Sequence, residues 1–170
     1  LLSLLCIITN MEFPFIPIQI TLIDLIIEGY TSFFITFEKN KTPVTGSFLV
    51  KALTNALPFA IAIIFNIITL TIAGKTIQIP QNQLTTMMYI LIGFVSILAV
   101  EEVCRPFNKM RIFLFVTTAV GFFTAVLIFN NLLKLSALTG AEIIVVIVLA
   151  IISYLTIHIK RKVYKNKQIV

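Results

Sequence analysis

Asp24 and Glu28 sit near the middle of an otherwise apolar stretch, Pro17 to Phe37, which reads PIQITLIDLIIEGYTSFFITF. The stretch is about 21 residues long, the length of a helix that crosses a bilayer core. An acidic residue at the centre of such a helix costs about 2.5–3.5 kcal/mol, so two of them do not both face lipid. Their i, i+4 spacing puts both carboxylates on one helix face. Like charges there repel, and a proton or a bound cation has to compensate them. Gly29 follows and weakens the helix at that point. A helix that loosens at mid-membrane frees backbone carbonyls, which together with carboxylates can coordinate a cation. Gln19, Thr21, Thr31 and Ser32 are further oxygen donors on the segment, of the kind that Ca²⁺ and similar hard cations accept. Thr31 and Ser32 equally suit ordinary helix packing. A structural carboxylate pair, hydrogen-bonded to neighbouring helices, is the plainer alternative.

The elements that must position these residues are membrane helices. Of 170 residues, 59% are hydrophobic and 12% charged, and the mean hydropathy is +1.06. That composition is incompatible with a soluble domain of this size. The expected spans are Pro17 to Phe37, Phe48 to Ala73 with a kink at Pro58, Leu84 to Val103, Ile112 to Phe129, and about Gly140 to Ile159. The fold class is therefore all-α, a polytopic transmembrane helix bundle of five full spans. Before them, the apolar run from Leu1 to Thr9 is only about half a bilayer long, which reads as a truncated first helix. No charged leader or small-residue cleavage site points to a signal peptide. Polar loops are expected at Thr42 to Ser47, Gly74 to Gln83 and Asn130 to Thr139. Cys6 and Cys104 are single and far apart, without metal-type spacing.

The net charge of +6 is a topology signal, not a nucleic-acid footprint. If every span crosses, Lys39, Lys41, Lys51, Arg105, Lys109, Arg111, Lys160, Arg161, Lys162, Lys165 and Lys167 fall on one side, and Lys75 and Lys134 on the other. By the positive-inside rule the basic side, with the C-terminus, is cytoplasmic. The KRKVYKNK tail suits anionic inner-leaflet lipids.

Glu101 and Glu102 close the third full span. Either both are solvated helix-end acids near Arg105, or one reaches inward as a third carboxylate. Asn55 and Asn66 read as interhelical hydrogen-bond donors. Glu142 reads as a structural acid at a helix start, favoured by the helix dipole. His158 reads as an interfacial residue. No phosphate-binding glycine loop, metal cluster or nucleophile triad occurs, so the chain carries no catalytic machinery of its own.

The run PFIPIQITLIDLIIEGYTSFF resembles the sixth transmembrane helix of P-type cation-transporting ATPases and the turn before it. The family pattern is a Pro, a Gln two residues on, then Asn-Leu-x-x-Asp-Gly. Pro17, Gln19, Asp24, Leu25, Glu28 and Gly29 stand at those positions. Asp24 replaces the family's Asn and Glu28 its Asp, both of which bind the transported cation in calcium pumps. Where the family has Pro two residues after the Gly, this chain has Thr31. The run FEKNKTPVTGSFL resembles the following loop in a bacterial subgroup. AVEEVCRPFN resembles the end of the eighth helix, where a Glu two residues before Cys supplies a ligand, and this favours Glu102 over Glu101.

The resemblance implies that residues 1–170 are a C-terminal membrane-domain fragment, from late helix five to helix ten, with the catalytic cytoplasmic domains absent. It implies an ATP-driven pump exporting a cation, Ca²⁺ or a similar ion, held by Asp24, Glu28 and Glu102. ATP and Mg²⁺ would act only through upstream domains. The implied partners are the lipid bilayer and the remainder of the same pump chain, with no nucleic acid, and the implied location is the plasma membrane. The alternative is a fragment of a secondary cation transporter or channel that uses the carboxylates as a proton or ion relay. A third reading is a membrane scaffold without transport.

Overall fold

The computed structural model describes residues 2–9, 13–38 and 48–167. All the elements in them are helical: α1 (Leu2–Thr9), α2 (Pro17–Ile23), α3 (Tyr30–Ile35), α4 (Phe48–Ile77), α5 (Gln81–Val103), α6 (Lys109–Ile128) and α7 (Gly140–Lys167). A π-helical segment, Asp24–Gly29, joins α2 to α3. These three pieces make one continuous rod, Pro17–Ile35, called the carboxylate helix below. Five helices are long and apolar enough to cross a membrane, and the short α1 precedes them. The protein is a multi-pass membrane bundle.

The order of burial follows from the packing. α5 lies at the centre, touching α2, the π segment and α6 on one side and α4 and α7 on the other. It buries residues all round its axis, including Met87, Tyr89, Leu91, Gly93 and Val95, as expected of a helix apolar on every face. The other helices keep broad exposed apolar faces, such as Ile61, Phe65, Ile68 and Ile72 on α4. These faces suit hydrocarbon, where nothing drives apolar side chains inward. At the α5–α6 contact, Phe122 is fully buried against Gly93 and stands 5.9 Å, centroid to centroid, from Tyr89.

Several expected boundaries shift. The loop expected over Gly74 to Gln83 shrinks to residues 78–80, because α4 runs on to Ile77 and α5 starts at Gln81. Gln78 takes a positive φ of 58° and turns the chain there. α4 stays helical through Pro58. α6 begins at Lys109, earlier than expected, because the Asn108 side chain accepts from the Arg111 N–H at 2.8 Å and so caps the helix. α7 extends to Lys167, so the basic tail continues the helix. The expected loop Thr42 to Ser47 lies outside the described residues.

Contacts at the two ends confirm the alternation of spans. At one end Arg111 Nη2 lies 2.6 Å from Glu38 Oε2, and His158 approaches Glu101 at 3.9 Å. At the other end Gln19 Nε2 donates to the Leu133 carbonyl at 2.8 Å, and the Ser136 N–H donates to Thr86 Oγ1 at 2.9 Å. Glu38, Arg105, Arg111 and His158 therefore share one end of the bundle.

Candidate cation-binding site

Pro17 starts the carboxylate helix at a position where its missing N–H is not needed. Gln19 then reaches back, its Oε1 accepting from the Ile16 N–H at 3.1 Å, which satisfies one of the orphan donors of a helix start. Regular α-helix gives way at Asp24. From there to Gly29 the backbone is π-helical, and the Tyr30 N–H donates to the Leu25 carbonyl, five residues back. The expected loosening at mid-span is therefore a widened turn, not an unwound stretch. Gly29 permits it: a Cβ there would lie 3.1 Å from the Asp24 carbonyl oxygen, tighter than ordinary van der Waals contact.

The π segment also decides where the carboxylates stand. In a regular α-helix, side chains four apart drift by about 40° per step. A turn closed by i→i+5 bonds is wider, so side chains four apart stay closer to one line. Gln19, Ile23, Ile27 and Thr31 form the buried line against α5 and α6. Asp24, Glu28 and Ser32 form an exposed line, uncovered among the described residues. Facing lipid, each carboxylate would cost about 2.5–3.5 kcal/mol. A bare lipid-facing column of this kind is not stable, and it calls for polar partners or a cation.

The neutral oxygen donors separate into two sets. Gln19, 1% exposed, spends its amide on Ile16 and Leu133. The Thr31 hydroxyl lies 3.3 Å from that of Thr118, so it is a packing hydroxyl between the carboxylate helix and α6. Thr21 donates to the Pro17 carbonyl at 3.0 Å. Ser32 alone of the four stands in line with the carboxylates. Beside Thr31, the Tyr30 and Thr117 hydroxyls lie 3.0 Å apart. The groove of about 550 Å³ between this helix and α6 is lined by Leu25, Ile26, Gly29, Tyr30 and Phe33, with Thr117 and Gly121 opposite. Neither carboxylate lines it.

Glu101 and Glu102 both stand by Arg105. Glu101 is ion-paired to it and is the more buried, with 15% of its side chain exposed. Glu102 lies 3.9 Å from the same guanidinium and is 46% exposed. Asp24, Glu28 and Glu102 are not brought together: among the described residues no three acidic, His or Cys side chains converge as a metal site. His158 is more than an isolated interfacial residue, since its ring packs 4.2 Å from that of Tyr154 as well as approaching Glu101. Asn66 donates to the Ser153 hydroxyl at 2.9 Å across α4 and α7, and Glu142 accepts from the Thr139 N–H at 2.7 Å at the start of α7. Both hold the structural roles expected of them. Asn55 is exposed.

The sequence reading missed the residues that hold the carboxylate helix in place. Thr117 and Thr118, adjacent hydroxyls in an apolar span, were the available signal for the α6 contact. The Leu133 carbonyl gave none, because a backbone acceptor in a loop has no signature in composition.

No family model and no solved structure matches the chain. A curated relative does: the probable cation-transporting ATPase exp7 of Streptococcus pneumoniae is 38% identical over 129 residues. The match covers 75% of this chain and 17% of that protein, so the chain spans about a sixth of the length of the curated relative it matches. Five membrane-capable helices after a short first helix are the content expected of the C-terminal membrane region of such a protein. The resemblance drawn from Pro17, Gln19, Asp24, Glu28 and Gly29 thus has independent support: across three quarters of its length the chain is similar to a probable cation-transporting ATPase, and its five membrane-capable helices are consistent with the C-terminal membrane region of a P-type pump.

Proposed function

We propose that the chain is the cation-carrying membrane part of an ATP-driven pump, and that Asp24 and Glu28 hold the ion during transport. The observation that carries this reading is the π-helical segment, which spans both carboxylates in the middle of a bilayer-length helix. π segments recur at functional sites, and intramembrane acids are costly enough that function is their default explanation. The ion is a hard cation, Ca²⁺ or one like it, because the donors are carboxylate, hydroxyl and backbone oxygen. Glu102 stands apart from Asp24 and Glu28 among the described residues and joins them as the third carboxylate only in the ion-bound state, exchanging Arg105 for the ion. ATP and Mg²⁺ act through cytoplasmic parts of the pump chain outside these 170 residues. Their cycle shifts the population between states of high and low ion affinity.

The pump sits in the plasma membrane with the Glu38–Arg111 end in the cytoplasm. The feature that supports this orientation is the basic bias of the connecting segments at that end. An impermeant thiol reagent applied to intact cells should label Asn131→Cys and spare Asn108→Cys; the reverse pattern would invert the orientation.

The functional test is ATP hydrolysis by the full-length protein in membrane vesicles across a panel of cations. Stimulation by Ca²⁺ or a related divalent ion is expected. Ion flux that follows a gradient and ignores ATP would instead support a secondary transporter or channel.

A further inference from the structure

We propose that Gln19 is a positioning residue for the cation site, fixing the height and rotation of the carboxylate helix without touching the ion. The inference rests on the reading that Asp24 and Glu28 bind the ion. Gln19 precedes Asp24 by little more than one helical turn. Three hydrogen bonds converge on it from three parts of the chain. Its Nε2 donates to the Leu133 carbonyl at 2.8 Å. Its Oε1 accepts from the Ile16 N–H at 3.1 Å. Its backbone carbonyl accepts from the Tyr89 hydroxyl of α5 at 3.2 Å.

The anchor it grips is itself well held. Leu133 is 1% exposed, its N–H donates to the Phe129 carbonyl at 2.9 Å, and the Leu135 N–H closes onto the Asn130 carbonyl at 2.9 Å. Lys134 takes a positive φ of 52°, the conformation that ends such a turn. The turn between α6 and α7 thus presents one carbonyl to one buried amide. At its far end the carboxylate helix is held by the Tyr30–Thr117 and Thr31–Thr118 hydroxyl pairs on α6. The π segment with both carboxylates lies between these two attachments, and Gln19 is the nearer fixed point to Asp24. Ligand geometry has to be held within about 0.5 Å for tight binding, so releasing this end weakens ion binding even though every ligand is still present. Gln19 is not itself a ligand, because its Oε1 is spent on Ile16 and its line faces α5.

The test uses the full-length protein in membrane vesicles, with Ca²⁺ as the probe and ATP hydrolysis as the readout. Gln19→Ala should raise the half-saturating Ca²⁺ concentration about tenfold, the scale of a lost buried hydrogen bond, and leave maximal turnover within about twofold. Tyr89→Phe should shift it in the same direction by less. Gln19→Met discriminates further: it keeps the length and volume of the side chain but cannot donate to Leu133, so it should raise half-saturation about as far as Gln19→Ala. Unchanged half-saturation in Gln19→Ala and Gln19→Met would overturn the proposal. So would a loss of protein or maximal rate in both variants with wild-type half-saturation in the pump that remains. Asp24→Asn with wild-type half-saturation would defeat the site reading itself, and the positioning role with it.

Discussion

Arg111 grips Glu38 with two nitrogens, Nη2 at 2.6 Å and Nε at 2.8 Å from the same Oε2, and so ties the end of the carboxylate helix to the first turn of α6. Asn108, which caps α6, donates to the other oxygen, Glu38 Oε1, at 2.7 Å. One carboxylate therefore fixes where two helices emerge from the membrane at the same end. The bonds from Arg111 are charge-assisted, and both carboxylate oxygens are engaged, one by Arg111 and the other by Asn108.

The Arg111 hydrogen bond, with Asn108 and the guanidinium charge behind it, holds the Glu38 carboxyl below its ordinary value of 4.5. A carboxyl depressed in the folded state contributes stability that is fully present above the unfolded value and is lost as pH falls through the folded one. Thermal unfolding of the full-length protein in detergent should therefore show Glu38→Gln less stable than wild type at neutral pH. The gap should close progressively as the pH drops below about 4.5. A gap that persists unchanged into that range would mean that Glu38 acts through something other than its charge.

Gly93 lets Phe122 lie directly on the backbone of α5. A Cβ at position 93 would stand 2.1 Å from the Phe122 ring, and Phe122 has no free space to retreat into. Gly93→Ala should cost about 1–3 kcal/mol by overpacking, read as a lower unfolding temperature in detergent. Combining it with Phe122→Leu should return part of the loss, since the clash is with that ring. Two independent, additive losses would contradict the contact.

The span pattern was legible because a bilayer demands long apolar helices, and the Glu38–Arg111 and Gln19–Leu133 contacts show which helix ends lie together. The i, i+4 carboxylates, and the weak point at Gly29, were legible for the same reason: acids in apolar runs stand out. The three-residue turn at 78–80 was not, because Gly74, Lys75 and Thr76 read as a loop by composition, whereas Gly74 packs against Leu84 inside the helix pair. The inward turn of Gln19 and Thr31 was not legible either. Both are polar, and only the contacts with Leu133 and Thr118 show that they face protein and not the carboxylate line.

Gly29 closes the π segment against the Asp24 carbonyl at a distance that leaves little room for a side chain. Gly29→Ala should disturb the widened turn and raise the half-saturating cation concentration of the full-length pump about threefold to tenfold, with the protein still folded and inserted. Unaltered ion dependence would show that the π segment tolerates a Cβ and that the glycine is not needed for the site.

The central claim is that Asp24 and Glu28 bind the transported ion. Equilibrium binding of radiolabelled Ca²⁺ to the purified full-length protein, without ATP, tests it most directly. Saturable binding by the wild type, reduced more than about tenfold by Asp24→Asn and by Glu28→Gln, is the predicted result, the scale expected when a charged ligand becomes neutral. Undiminished Ca²⁺ binding in both variants would contradict the account and leave the two carboxylates as a structural pair.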